Sequence, residues 1–144
     1  MLDNKEKINL YKTLFKARTD VYARFWINFT TKQSGFAPVY RLNKQNELLN
    51  DHIIKLHLSG KEALGIYPLL TNNTTYLLAV DLDKGNWLSK ASKLINAAKL
   101  YQLPCYLERS KSGNGGHVWF FFNSNIPSPY SNYSCNPWRL RCLV

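Results

Sequence analysis

From residue 64 to residue 122 the chain passes from β-formers to a helical period and back to β-formers. That order limits the fold more than any other feature. Residues 64–70 and 75–83 are rich in β-formers, and Thr71, Asn72, Asn73 and Thr74 between them suit a hairpin turn. Asn86 is placed to cap a helix on which Trp87, Ala91, Leu94, Ile95, Ala98 and Leu100 or Tyr101 recur at helical spacing, and Pro104 marks its end. A second hairpin follows, with strands at 105–109 and 117–122 around a turn at 110–116. Hairpin, helix, hairpin gives a four-stranded antiparallel sheet with the helix on one face, an α+β layer architecture.

Upstream the period is helical. Asp3 with Glu6 three residues later forms a capping box, followed by Ile8, Tyr11, Leu14 and Phe15 on one face. Residues 20–26 are rich in aromatics and fit either a helix or a strand. Residues 30–35 are polar and read as a loop. Asn50 or Asp51 caps a second short helix carrying Ile53, Ile54, His57 and Leu58, closed by Ser59 and Gly60. The expected organisation is therefore an N-terminal helical part over 1–60, a sheet part over 61–122 and an irregular tail over 123–144. The tail is crowded with Ser, Asn, Pro and Tyr and holds no Asp or Glu.

Nineteen Lys+Arg against nine Asp+Glu give a formal charge of +10. That excess favours polyanions: nucleic acid first, nucleotides second. The apolar runs at 76–80 and 118–122 are far too short to span a bilayer, and residues 1–7 lead into an amphipathic stretch rather than an apolar signal segment. No membrane partner is expected. The three cysteines, Cys105, Cys135 and Cys142, form no C-x-x-C pair. Neither a disulfide framework nor a zinc site is expected, and reduced thiols suit a cytoplasmic location.

Two constellations carry chemistry. In the first, an apolar strand ends in Asp81-Leu82-Asp83, which places both carboxylates on one face about 6–7 Å apart along the backbone. Such a pair suits a hard, oxygen-seeking cation, Mg²⁺ or Mn²⁺; the plain alternative is a strand end entering a turn. The second runs from Glu108 to Trp119, with Arg109, Lys111, Ser112, Gly113, Gly115, Gly116 and His117. Its glycines let backbone N–H groups approach phosphate, and its cations neutralise that charge. It is not a Walker loop, because no Gly-Lys-Ser/Thr follows and a strand comes next. An ordinary glycine-rich hairpin is the alternative. Tyr22, Phe25 and Trp26 with Arg18 and Arg24 fit a stacking and phosphate surface for single strands, or core packing of the aromatics.

These motifs, in this order, resemble the archaeo-eukaryotic primase superfamily, particularly the primase domain associated with TOTE conflict systems. The similarity also runs through residues 14–24, 35–38, 58–60, 65–70, 79–83 and 107–122. The resemblance implies a primase-polymerase catalytic core built around an RRM-like sheet. It implies Asp81 and Asp83 as metal carriers and Gly115-Gly116-His117 as the small-x-His motif, with Asp81, Asp83 and His117 catalytic and His117 binding nucleotide; Arg109, Lys111, Ser112 and Gly115 of the glycine-rich turn are expected to bind nucleotide beside it. Arg18 and Arg24 are expected to contact the nucleic acid. The implied activity is nucleotidyl transfer from nucleoside triphosphates on a DNA or RNA template, with helicase or nuclease partners in a conflict or replication setting. Two departures stand out. Residues 39–49 lack the cysteines of related domains, so no zinc is expected. The superfamily's third catalytic carboxylate lies on a later strand, whereas this chain has no Asp or Glu after Glu108, which points to a shortened or altered end. A non-catalytic nucleotide- or single-strand-binding module is therefore the competing reading, and a metal-dependent nuclease a third.

Overall fold

A computed structural model describes residues 2–40, 49–83, 85–110 and 113–128. The elements in chain order are α1 (Asn4–Leu14), β1 (Val21–Ile27), β2 (Ser34–Tyr40), α2 (Asp51–Leu58), β3 (Leu64–Gly65), β4 (Thr74–Asp83), α3 (Trp87–Leu100), β5 (Tyr106–Arg109) and β6 (Gly115–Pro127). The architecture is α+β, with two antiparallel three-stranded sheets and three helices among the described residues. They fall into two compact units: one holds the described residues up to Thr75 together with those from Ile126 onward, the other Tyr76–Asn125.

In the first unit, Asp3 caps α1 as a reciprocal box: its carboxylate accepts from the Glu6 N–H at 2.7 Å, and the Glu6 carboxylate accepts from the Asp3 N–H at 2.8 Å. Asn50 caps α2 by accepting from the Ile53 N–H at 3.1 Å, and Gly60 takes the left-handed conformation just after the helix (φ 72°). The two helices touch through Tyr11 and His57, whose rings meet edge to face at 5.7 Å, and through a Lys12–Asp51 ion pair. Val21, Tyr22 and Ala23 are buried at the start of β1, and Ile54, Leu64 and Ile66 are buried as well. Each side chain of the Val or Ile class so removed from water contributes roughly 1.5–3 kcal/mol.

Residues 20–26, open between helix and strand from sequence, supply β1, which pairs with β2 from Val21↔Tyr40 to Ile27↔Ser34. The stretch 1–60 is thus two helices with a hairpin between them. A larger difference concerns residues 64–70. The turn after them forms, with the Leu70 N–H donating to the Thr74 carbonyl at 2.9 Å. The strand before it is not a neighbour of β4 in either sheet. Only Leu64–Gly65 is extended in a sheet, and it pairs with β1 through Ala23↔Gly65 and Arg24↔Leu64. Pro68 explains this locally: it has no N–H to give a ladder and restricts Tyr67 before it. Three of the four expected strands therefore form one sheet, and the fourth, reduced to β3, joins β1 and β2 in the other.

In the second unit the strand order is β4-β6-β5. β5 and β6 are antiparallel, from Tyr106↔Trp119 to Arg109↔Gly116. The start of β6 lies beside the end of β4, since Gly115 adjoins Leu82 and Asp83. One face of this sheet packs on α3: Val118, Phe120, Phe122, Val80 and Leu82 meet Ala91, Leu94, Ile95 and Ala98. Alternation then sends Asp81, Asp83, His117, Trp119 and Phe121 to the opposite face. β6 continues to Pro127, past the end at 122 that the apolar run suggested. Asn86 occupies the N-cap of α3 but makes no side-chain capping bond. No helix among the described residues is long and apolar enough to cross a membrane.

Candidate active site

The site lies on the face of the second unit's sheet turned away from α3. β4 carries Asp81 and Asp83 to the end of the strand, where Gly85 turns the chain with φ 62°. β6 enters beside them as Gly115-Gly116-His117, and both glycines are required by space. A methyl group on Gly115 would lie 2.8 Å from the Leu82 carbonyl oxygen and 3.1 Å from Asp83 Oδ1. On Gly116 it would lie 2.6 Å from the Glu108 carbonyl oxygen and 2.7 Å from the Trp87 ring. Only a strand without side chains at these two positions brings His117 this close to the paired carboxylates.

His117 stands between acids on both neighbouring strands. Its Nε2 is 3.6 Å from Asp81 Oδ1, and its Nδ1 is 3.4 Å from Glu108 Oε2. Its side chain is 14% exposed, against 33% for Asp81 and 50% for Glu108. Glu108 is the direct cross-strand partner of His117 and also accepts a bond from Trp119 Nε1 at 2.6 Å. The Glu108 carboxylate, aided by Asp81 and Asp83, raises the imidazole pKa above its ordinary 6.5, against the opposing effect of burial. Folding therefore favours the charged ring. In the metal-free chain that contribution to stability is complete below pH 6.5 and is lost as pH rises through the raised midpoint. An NMR titration of the His117 ring is expected to place it above 6.5; a midpoint at or below that value would contradict the arrangement.

The turn between β5 and β6 closes through the Ser110 N–H donating to the Gly115 carbonyl at 2.9 Å, with Gly113 at φ 76°. Arg109 folds over it, Nε donating to the Gly113 carbonyl at 3.4 Å. Lys111 and Ser112, expected to bind nucleotide, lie outside the described residues. Arg18 and Arg24 belong to the other unit, and each has a carboxylate partner: Arg18 binds Asp20 through Nε at 2.8 Å, and Arg24 binds Glu62 at 2.8 Å. Beside them Tyr22 is buried, whereas Phe25 and Trp26 are 42% and 43% exposed. Glu108 is the residue that sequence reasoning left without a role. The signal that finds it is strand register, which sets it opposite His117.

Among the described residues no three His, Cys, Asp or Glu side chains converge in a way that holds a metal ion. The end of β4 carries two carboxylates, Asp81 and Asp83, which are hard oxygen donors. They fit Mg²⁺ or Mn²⁺, because Mg²⁺ is commonly held by one or two carboxylates with water and substrate phosphate completing the shell.

An α+β core with paired strand-end carboxylates beside a Gly-Gly-His strand is consistent with the primase-type domains that the sequence resembles. Its branch follows from sequence comparison: residues 6–133 match the TOTE conflict system, Archaeo-Eukaryotic Primase domain, and the chain belongs to that family. Among curated proteins, none matches it.

Proposed function

We propose that this domain joins nucleotides from nucleoside triphosphates on a nucleic-acid template, as a metal-dependent primase-polymerase. The observation that carries the reading is His117 Nε2 at 3.6 Å from Asp81, which sets an imidazole beside a strand-end carboxylate on the adjacent strand. Asp81 and Asp83 would hold Mg²⁺ or Mn²⁺, which when bound offsets charge on the triphosphate and on the attacking hydroxyl. His117 would place its Nε2–H on a phosphate oxygen. Arg109, with Lys111, Ser112 and the backbone of Gly115, would receive the remaining phosphate charge. The net charge of +10 supports a DNA or RNA template, with Arg24, its side chain 58% exposed, and Arg18 as contacts once they exchange their carboxylates for phosphate. Helicase or nuclease partners in a conflict system are proposed on the family resemblance alone.

Binding of a labelled nucleoside triphosphate with and without Mn²⁺ tests the pocket. Wild type is expected to bind in a Mn²⁺-dependent manner, and both Asp81→Ala and His117→Ala to lose most of that binding, about tenfold or more for each charge-assisted contact removed. Equal binding by all three proteins would remove the assignment. The count of two carboxylates favours a second reading, a nucleotide-binding module without catalysis. It predicts the same binding with no product from any primer, template and metal combination.

A further inference from the structure

We propose that Glu108 is the positioning residue of this site: its carboxylate captures His117 Nδ1 and so directs Nε2 toward the phosphates held at Asp81 and Asp83. The inference rests on the nucleotide-binding reading above and adds a residue to it.

The geometry is that of a clamp. Glu108 and His117 are directly opposite on antiparallel strands, the pairing at which side chains on one face meet. Glu108 Oε2 already accepts the indole N–H of Trp119 at 2.6 Å. Trp119 is 5% exposed and lies parallel to Phe121, with ring centroids 6.1 Å apart. Phe121 in turn meets Tyr106 at 5.9 Å. The carboxylate is thus fixed by a buried indole that is itself fixed by an aromatic row on the same face. Against this fixed acceptor stands His117 Nδ1, buried and making no hydrogen bond among the described residues. It is 3.4 Å from the same oxygen. A small rotation of the ring completes the bond, and the tightening of such contacts on ligand binding is common. A histidine that works through one nitrogen is normally oriented by a partner on the other. The backbone reinforces this, since Gly116 leaves room for the Glu108 carbonyl to approach β6.

The test is a double-mutant cycle read by Mn²⁺-dependent binding of a labelled nucleoside triphosphate. Glu108→Ala is expected to weaken binding about tenfold or more in the wild-type background. In a His117→Ala background it should change binding by less than about twofold, because its effect passes through the ring. Glu108→Gln, which keeps the shape and one acceptor oxygen, should fall between wild type and Glu108→Ala. Equal losses in both backgrounds, or none in the wild type, would overturn the proposal. A second readout needs no nucleotide. In the metal-free chain the Trp119 indole proton should move upfield and the His117 ring should lose its single rotamer in Glu108→Ala; an unchanged ring would equally overturn it. Failure of wild type to bind triphosphate would sink the nucleotide reading, while the ring measurement would still decide the role of Glu108.

Discussion

Asp81→Asn is expected to lower metal-dependent primer extension by about a thousandfold, and Asp83→Asn by a similar factor. Asparagine keeps the volume and one oxygen of aspartate but removes the charge. A hard divalent cation bound through one or two carboxylates then loses half or more of its protein-supplied negative charge. Lewis-acid stabilisation of a phosphoryl-transfer transition state is worth several kcal/mol. Losing about 4 kcal/mol of it corresponds to about three decades in rate. Asp81 carries a second consequence, because it is the carboxylate facing His117 Nε2 at 3.6 Å. Its substitution weakens both the metal site and the electrostatic setting of the ring, whereas Asp83→Asn acts mainly on the metal side, Asp83 being the weakest of the three acids acting on the ring. Triphosphate binding should accordingly suffer more in Asp81→Asn than in Asp83→Asn. Fold stability gives the control. Both side chains stand at the end of β4 and make no hydrogen bond among the described residues, so above the His117 midpoint, where the ring is neutral, neither variant should lower the urea midpoint appreciably. Full extension activity in both would exclude Asp81 and Asp83 from the chemistry.

Much of this site is legible from the residue order. The apolar run into Asp81-Leu82-Asp83 defines a strand end with two acids on one face, because a strand has period two and nothing in that segment opposes it. Glycines before His117 mark a close backbone approach, which the structure gives as the contacts of Gly115 and Gly116 with Leu82, Asp83, Glu108 and Trp87. Caps were equally readable at Asp3 and Asn50, where the donor and acceptor are three residues apart. Long-range pairing was less legible. Residues 64–70 look like half of a hairpin because local composition and a good turn agree. Their partner is nevertheless β1, some forty residues earlier, and local pattern holds no information about so distant a choice. Glu108 shows the same limit on a smaller scale. It lies nine positions before His117 in sequence, and only the β5–β6 register makes them neighbours. Arg18 and Arg24 illustrate the converse. Their charge was visible, but the acids that engage them, Asp20 and Glu62, become partners only in the folded chain.

The steric logic of the Gly-Gly-His strand leads to the second large effect, a loss of stability in Gly116→Ala of about 2–3 kcal/mol, near the upper end of what overpacking costs. The added methyl group would stand 2.6 Å from the Glu108 carbonyl oxygen and 2.7 Å from Trp87 Cζ3. The ring can tilt at the start of α3. The carbonyl belongs to β5, paired with β6 at this point through Arg109↔Gly116, and moves only with the strand. Relief therefore requires β5 to move away from β6, which lengthens the Glu108–His117 approach and the bond from Trp119 to Glu108. Urea denaturation should record the lower midpoint. Removing the ring as well, in Gly116→Ala with Trp87→Ala, should not restore it, since the backbone clash persists. Gly115→Ala makes a useful comparison: its methyl group meets the Leu82 carbonyl at 2.8 Å and the side-chain oxygen of Asp83 at 3.1 Å. Part of that strain falls on a side chain that can turn, so the stability loss should be smaller while metal binding at Asp83 suffers more. A Gly116→Ala variant as stable as wild type, with Trp119 and His117 undisturbed, would mean that β5 and β6 do not approach as closely as this site requires.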